Sequence, residues 1–345
     1  MKTEKQNPDF LYLGEKLVKW YDFHGRNLPF RENVTPYNIW ISEVIFQQTR
    51  IQQGLEYYQR FIHRFPTVDV LAKAPIDEVL LYWKGLGYYS RAINLHKTSI
   101  IIMKDYAGVF PTEYQDILAL PGIGKYTAAA IMSIGYQVPL PAVDGNLYRV
   151  LSRFFADDYD ISLASAYQYF SDLATRLMPI DYPGEFNQAM MDLGSSICMP
   201  KIVLCEECPL SEGCLSLVEQ SIFNYPKKSK KVKAQDEDLK YFYVHFGNEF
   251  TIQKRNASGI WKNLYELTTV APDDFESENI GLQVIKHKLT HRNLTINIEL
   301  FQVNSRSDLK QYAKNINAEI IELGKINEFS MPKPIDAFLH SLDLN

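Results

Sequence analysis

All four cysteines of this chain of 345 residues lie in one short segment about two thirds of the way along it. The segment, CMPKIVLCEECPLSEGC, has the spacing C-x6-C-x2-C-x5-C. Four thiols this close together, in a chain that begins without an apolar signal segment, are typical of a metal or iron–sulfur site in a reducing compartment. The fold must therefore bring together Cys198, Cys205, Cys208 and Cys214.

The spacing of the cysteines leaves more than one kind of site open. Structural zinc sites are often built from four cysteines, and a [4Fe-4S] cluster takes four as well. One Cys-x2-Cys pair with wider gaps on either side differs from the usual two-knuckle zinc pattern. Two disulfides are a third interpretation, which the missing secretory signal disfavours.

The overall charge does not identify a ligand. The formal net charge is −5, so the chain lacks the basic balance that marks many nucleic-acid-binding proteins. Any DNA contact must then rest on local groups. The N-terminal stretch MKTEKQNPDF is polar, and no run approaches the ~20 apolar residues that span a bilayer. We therefore expect a cytoplasmic protein without a membrane segment.

Hydrophobic spacing divides the chain into two parts. Up to Asn224 the apolar residues recur with helical periodicity, and Thr112 with Gln115 predicts a capping-box helix start. The lysine-rich stretch YPKKSKKVKAQDED then predicts a linker. Beyond it, NLTINIELFQV alternates as a half-buried strand, and LKYFYVHFGNEFTIQK predicts a hairpin that turns at Gly247 and Asn248. The pattern indicates an all-α part followed by a smaller α+β part.

The segment LPGIGKYTAAAI predicts two helices joined by a tight turn. Gly122 and Gly124 allow close approach of the backbone to another group. The N–H groups of the turn and of the following helix form an anion site suited to phosphate, which needs little net charge. A plain helical hairpin without a ligand is the alternative interpretation.

A second unusual stretch is YNIWISEVIFQQTRI, in which apolar residues surround a single carboxylate, Glu43. Burial disfavours the charged form of a carboxyl group and raises its pKa, so this group can hold a proton near neutral pH and donate it. The alternative is a buried glutamate that is paired with a basic side chain.

These motifs together resemble a known family. A hairpin, then Asp144 in AVDGNLYRV, then the four cysteines resembles the helix-hairpin-helix DNA glycosylases that carry an iron–sulfur cluster. Within them, ISEVIFQQTRI, GLGYYSRA and FNQAMMDLG are similar to adenine DNA glycosylases of the MutY type. The resemblance implies a multidomain protein, an all-α glycosylase core followed by a smaller α+β Nudix-like domain. The implied boundaries are an iron–sulfur domain from 1–28 and 140–224, a six-helix domain 29–139, a linker 225–238 and a Nudix-like domain 239–345.

The resemblance also implies the chemistry. Glu43 would protonate N7 of the departing adenine, and Asp144 would stabilise the oxocarbenium-like sugar, much as paired carboxylates do in glycoside hydrolysis. Asn146 would orient Asp144 or water. Tyr126 stands where relatives that also cleave the DNA backbone carry a Schiff-base lysine. The implied enzyme is therefore monofunctional and leaves an abasic site, with Lys125 turned towards phosphate.

Further positions match residues that contact DNA in this family. Gln48 and Tyr88 would wedge into the duplex beside the flipped base, and Arg26, Arg31 and Gln188 would line the adenine pocket or the nearby backbone. A loop in the Nudix-like domain would read the base opposite adenine. It corresponds here to Leu289, Thr290 and His291, in which leucine replaces an aromatic residue. No Nudix catalytic box is present.

The resemblance implies a [4Fe-4S] cofactor on the four cysteines and a monomer that acts on duplex DNA. The mispairs would be adenine opposite 8-oxoguanine or guanine, in the bacterial cytoplasm at the nucleoid. One alternative is a related glycosylase or lyase for another mismatched or oxidised base. A DNA-binding scaffold without activity is another, but it would not need both Glu43 and Asp144.

Overall fold

The computed structural model describes residues 9–229, 234–255, 259–273 and 275–342. Contacts group the described chain into two compact units. The first contains the described parts of Met1–Lys73 and Lys97–Lys230. The second contains Ala74–His96 together with the described parts of Lys231–Asn345. A helical segment from the first third of the chain therefore groups with the C-terminal part.

The chain up to residue 229 is helical, as its periodicity predicts. None of the helices in the described ranges is long and apolar enough to cross a membrane. Short 3-10 turns connect the elements around the cysteines, and the helices are α1 Phe10–His24, α2 Pro29–Glu32, α3 Pro36–Phe46, α4 Ile51–Arg64, α5 Val68–Lys73, α6 Ile76–Tyr82, α7 Ser90–Asp105, α8 Tyr114–Ala119, α9 Lys125–Ala130, α10 Gly145–Phe154, α11 Ala166–Thr175, α12 Pro183–Ser196 and α13 Leu215–Val218.

Local sequence explains where the helices that carry the site begin. Before α3, the Thr35 side chain accepts a hydrogen bond from the Asn38 N–H, and Pro36 occupies the first turn. Before α10, Asp144 has the same capping role. Helices α1, α10 and α12 then bury one apolar core that includes Leu17, Leu147 and Phe186.

The predicted turn between two helices lies between α8 and α9. Gly122 has a φ of 78°, a conformation that favours glycine, and Gly124 is the N-cap of α9. A π-helical turn, Ile131–Gly135, continues α9. The capping box predicted at Thr112 is wrong, because α8 begins at Tyr114 after Glu113 and no side chain caps it.

The C-terminal part of the second unit is a mixed sheet with helices. Its spatial order is β3-β2-β1-β5-β4, with β6 paired to β2. Strands β1 and β5 are parallel, and β4 with β5 forms a long antiparallel hairpin. The elements are β1 Gln235–Phe246, β2 Glu249–Lys254, β3 Tyr265–Leu267, β4 Ser277–Lys288, β5 Arg292–Val303, α14 Arg306–Ile316, β6 Glu319–Glu322 and α15 Lys333–Leu342.

The sheet confirms the strand predictions. Strands β1 and β2 pair with Phe246 opposite Glu249, so the hairpin turns at Gly247 and Asn248 as expected. In β5, Leu294, Ile296 and Ile298 are buried, as the alternation predicts. An α+β part thus follows a helical part. Strand β1 begins within the range 225–238 that was predicted as linker, and residues 230–233 of that range lie outside the described residues.

Candidate active site

Glu43 lies on α3 with buried apolar residues on both sides, including Trp40, Ile41 and Val44. Its side chain keeps some solvent contact, but the surrounding protein removes most of the hydration of its charged form. Burial, with a smaller contribution from the negative charge of Asp144, raises the pKa of Glu43 to about 7, although the hydrogen bond from Tyr126 and the charge of Arg31 oppose the rise. The group can therefore carry a proton at neutral pH.

Tyr126, the second residue of α9, contacts Glu43 directly. Its hydroxyl hydrogen-bonds to the Glu43 carboxylate and also lies 3.8 Å from Sδ of Met191. One hydroxyl has one proton, and a carboxylate is the stronger acceptor, so donation to Glu43 dominates. Burial and the two nearby carboxylates raise the pKa of Tyr126 well above its usual value, which keeps the phenol protonated as a donor.

Asp144 is at once a helix cap and a candidate catalytic group. Its carboxylate accepts hydrogen bonds from the Leu147 N–H and from the Asn146 amide, each at 2.8 Å. Burial raises the pKa of Asp144, while these hydrogen bonds and the charge of Arg149 oppose the rise. Asn146 thus donates a hydrogen bond to Asp144, and its role in orienting that carboxylate or a water stays a prediction.

Arg149 joins this carboxylate to the cysteine segment, and the sequence interpretation missed it. Its guanidinium donates to the Asn146 side-chain oxygen at 2.8 Å and to the Gly194 carbonyl at 2.6 Å. Its Nε donates to the Cys198 carbonyl at 2.8 Å. The available signal was helical spacing, because residues three apart on α10 face the same way.

Two of the three predicted pocket residues, Arg26 after α1 and Arg31 on α2, bind a carboxylate that the sequence interpretation also missed, Asp192 on α12. Arg31 binds Asp192 with both terminal nitrogens, at 2.8 and 2.9 Å, and Arg26 binds it as well. Gln188 accepts a hydrogen bond from the Tyr21 hydroxyl at 3.1 Å. Arg31 also lies 5.3 Å from the centre of the Tyr21 ring. These contacts hold the side chains in place near Glu43, whose charge interacts with Arg31.

The two predicted wedge residues share an uncommon backbone conformation. Gln48 has a φ of 57° and Tyr88 a φ of 48°, values that cost a bulky residue conformational energy. Both are exposed, and half of the Tyr88 surface is open to solvent. Strained backbone at exposed residues is typical of positions that contact a ligand.

The turn residues of the helical hairpin also lie at the surface. Gly122, Gly124 and Lys125 are all exposed. The Lys125 ammonium lies over the Tyr167 ring, 5.3 Å from its centre, so it does not take the place of Tyr126 beside Glu43. A Cβ built on Gly124 would meet nothing within 4 Å, so no group of the protein itself requires glycine there.

The predicted reader loop, Leu289–His291, forms the tip of the β4–β5 hairpin. Thr290 and His291 are exposed, and the Thr290 hydroxyl lies 2.7 Å from the Tyr88 hydroxyl. Leu289 is partly buried and packs against the core of the sheet. Leucine at this position thus contributes to the packing of the domain.

All four cysteines are free thiols that line one cavity, together with Arg153 and apolar side chains. Among the described residues, no group of three or more His, Cys, Asp or Glu is arranged to hold a metal ion. The four thiols therefore line one common space, and four cysteine sulfurs are a donor set that both iron–sulfur clusters and zinc ions take. Arg153, which the sequence interpretation missed, lies 3.3 Å from Sγ of Cys198.

Comparison with protein families gives two matches. Residues 41–173 match the HhH-GPD superfamily of base excision DNA repair proteins, and residues 240–341 match the NUDIX domain. The first match contains Glu43, Tyr126 and Asp144. The two ranges agree with the predicted order of a helical glycosylase core and a Nudix-like domain.

Whole-chain relatives agree. The chain is 33% identical over 344 residues to an adenine DNA glycosylase of Buchnera aphidicola subsp. Schizaphis graminum, covering 95% of this chain and 98% of that protein. It is 35% identical over 321 residues to the adenine DNA glycosylase of the Baizongia pistaciae subspecies, covering 89% and 90%. The solved structure of a thermostable thymine-DNA glycosylase is 28% identical with a TM-score of 0.57, covering 62% of this chain and 98% of that one. The chain belongs to the adenine DNA glycosylase family, whose members are DNA N-glycosylases of base excision repair.

Proposed function

We propose that this enzyme hydrolyses the N-glycosidic bond of adenine mispaired with 8-oxoguanine or guanine in duplex DNA and leaves an abasic site. The observation that carries the proposal is Glu43, whose pKa of about 7 lets it hold a proton at the pH at which it must donate one. A [4Fe-4S] cofactor and a monomeric enzyme belong to the same proposal.

Glu43 acts as the general acid in this mechanism. The adenine anion is a poor leaving group, so protonation of N7 makes departure of the base possible. Tyr126 keeps the Glu43 side chain in place. Its raised pKa keeps the phenol protonated, so Tyr126 cannot take up the proton that Glu43 donates. A donor with a pKa near the working pH combines a sufficient protonated fraction with a sufficient drive for proton transfer.

Asp144 supplies the second charge. As the base departs, positive charge develops on the sugar, and a carboxylate held by the Leu147 N–H and the Asn146 amide can stabilise it without reorganising. Water then completes the hydrolysis. Tyr126 lies beside Glu43 and Lys125 lies over Tyr167, and this arrangement supports a monofunctional reaction without a Schiff base on Lys125.

DNA binding in this proposal uses exposed groups. The N–H groups around Gly122 and Gly124, with Lys125, bind a phosphate of the adenine strand. Flipping adenine out costs a few kcal/mol, and Gln48 and Tyr88 fill the gap that it leaves. Arg26, Arg31 and Gln188 lie at the adenine pocket, and Thr290 and His291 read the opposite base. Leu289 contributes to the loop through its packing against the core of the sheet.

The cofactor would be held by Cys198, Cys205, Cys208 and Cys214. Once bound, the cluster supplies four metal–thiolate bonds that tie the loop into one rigid unit. Arg153 places positive charge beside Cys198, and Arg149 holds the Cys198 carbonyl and Asn146 at the same time. Purified enzyme should be yellow-brown with broad visible absorption, and a colourless, zinc-loaded active enzyme would refute this part of the proposal.

A single-turnover assay on labelled duplexes tests the function. Adenine is placed opposite 8-oxoguanine, guanine or thymine, and each reaction is analysed with and without alkali. Cleavage of the adenine strand only after alkali, fastest opposite 8-oxoguanine, is expected. Cleavage without alkali would indicate a lyase, and release of thymine opposite guanine instead of adenine would indicate the alternative substrate. Absence of base release from every duplex would indicate a DNA-binding scaffold.

A further inference from the structure

The segment Ala74–His96, which we call the wedge segment because it carries Tyr88, belongs by its contacts to the second unit. Polar side-chain contacts join it to the C-terminal part of the chain. Lys84 pairs with Asp336 at 2.8 Å, Asp77 pairs with Lys254, and the Tyr88 hydroxyl lies 2.7 Å from the Thr290 hydroxyl. The wedge and the reader loop are therefore parts of one compact unit.

The Lys84–Asp336 pair is the most protected of these contacts. The two side chains are 20% and 24% exposed, and the Lys84 ammonium also lies 3.4 Å from the Ile326 carbonyl. By contrast, Lys325 and Glu322 in the same unit form a pair 3.6 Å apart with more than half of each side chain exposed. A partly desolvated pair is screened less by salt and constrains position better than an exposed one.

Contacts hold Tyr88 both near its backbone and at its hydroxyl. At its backbone, the Trp83 indole N–H donates to the Gly87 carbonyl at 3.1 Å, and the Arg91 guanidinium lies over both the Trp83 and Tyr88 rings. At the far end of the ring, the hydroxyl meets Thr290. This arrangement holds Tyr88 at its positive φ before DNA is present.

We propose that the wedge segment and the reader loop act as a single element, in which the Tyr88–Thr290 hydrogen bond and the Lys84–Asp336 pair make insertion of Tyr88 depend on the base that Thr290 meets. The proposal rests on the reader role given to Thr290 above. A hydroxyl can donate to one partner and accept from another, so Thr290 can contact a base and Tyr88 together. Lys84 and Asp336 are positioning residues, since neither lies in the reader loop or beside Glu43.

The test compares single-turnover rates opposite 8-oxoguanine and opposite guanine in the full-length enzyme. Lys84→Met should lower the ratio of the two rates about three- to tenfold, the equivalent of one hydrogen bond or protected ion pair, and Lys84→Arg should restore much of it. Lys325→Met, the matched control, should leave the ratio unchanged. Equal slowing on both duplexes, or no change, for Lys84→Met would overturn the proposal.

A double-mutant cycle addresses the hydroxyl pair. Tyr88→Phe and Thr290→Val should each lower the ratio. The double variant should match Thr290→Val, because both changes remove the bond between the two hydroxyls and only Thr290→Val also removes the proposed contact with the base. Additive effects would overturn the proposed coupling. If Lys84→Met unfolds, the exchanged pair Lys84→Asp with Asp336→Lys provides the same comparison, with the ratio restored relative to Lys84→Asp alone.

Failure of the reader role is separable from failure of the coupling. If the wild-type enzyme shows no preference for 8-oxoguanine, the reader role is refuted. Fluorescence of 2-aminopurine placed beside the opposite base then reports insertion of Tyr88 directly. A weaker signal in Lys84→Met than in Lys325→Met would still support the coupling, and equal signals would overturn it.

Discussion

The two functional regions of this molecule are built in opposite ways. Glu43, Tyr126 and Asp144 lie on helix surfaces within a packed core, and neighbouring groups determine their hydrogen bonds and pKa values. The reader loop and Tyr88 lie at exposed turns, where a few side-chain contacts hold them. The proposed chemistry occupies the closely packed region, and the proposed base recognition occupies the exposed one.

A proton donor and a group that reads a base place different requirements on the surrounding protein. A proton donor needs a fixed environment, because its pKa depends on every group within a few ångströms. A reader must reach a base in DNA, so its groups have to stay exposed until the duplex arrives. Variants in the first region should therefore affect the rate on every substrate, whereas variants in the second should affect the choice of substrate.

The largest effect is expected for Glu43→Gln. The variant keeps the shape and hydrogen-bonding capacity of the side chain but has no proton to give, so the single-turnover rate should fall by about 10²–10⁴ on every adenine mispair. Gel-shift affinity for the duplex should stay near that of the wild type, since the fold is unchanged. Loss of rate opposite only one base would break the distinction between the two regions.

A smaller loss of rate is expected for Arg149→Met. The change removes the hydrogen bonds that Arg149 donates to the Asn146 oxygen and to the Gly194 and Cys198 carbonyls. Asp144 should then be less well oriented, and the rate should fall roughly 10- to 100-fold on all substrates, as for lost supporting hydrogen bonds around a site. Arg176, an exposed residue that stacks on Phe10, offers a control, since Arg176→Met should leave the rate unchanged. An unaltered rate in Arg149→Met would remove this residue from the site.

The pKa of Glu43 also predicts an effect on stability. The folded-state value of about 7 lies above the ordinary 4.5, so folding favours the protonated form, and this contribution to stability is lost as the pH rises from about 4.5 to 7. At pH 8, Glu43→Gln should therefore be more stable than the wild type, by roughly 1–3 kcal/mol. Urea unfolding of both proteins at pH 5 and at pH 8 measures this difference in the free energy of unfolding. If Glu43→Gln gains no more stability over the wild type at pH 8 than at pH 5, the pKa of Glu43 is not raised by folding.

The two regions also differ in how far the sequence could predict them. Glu43 and the cysteines were predicted because one residue type in an unusual local setting is visible in a sequence, whereas Asp144 was predicted from the resemblance of its segment to a known family. Asp192, Arg149 and Arg153 were missed, since each matters through partners that only the fold brings close. The helix start predicted at Thr112 was wrong, because α8 begins at Tyr114 and no side chain caps it. The grouping of the wedge segment with the C-terminal part is likewise a long-range contact.

The smallest effect, and the one that sharpens the comparison within the reader loop, is expected for Leu289→Ala. Leu289 packs against the sheet core but is only partly buried, so truncation should cost about 1–2 kcal/mol of stability in the second unit. The preference for 8-oxoguanine should remain, because Thr290 and its contact with Tyr88 are intact.

Thr290→Ala should lower the preference for 8-oxoguanine and leave stability nearly unchanged. The exposed hydroxyl contributes little to packing, and its loss removes the proposed contact with the base. Thermal unfolding and the ratio of rates, measured on both variants, separate the two roles. If Leu289→Ala lowered the ratio and left stability unchanged, leucine would read the base as the aromatic residue of the family does, and packing would not explain its presence.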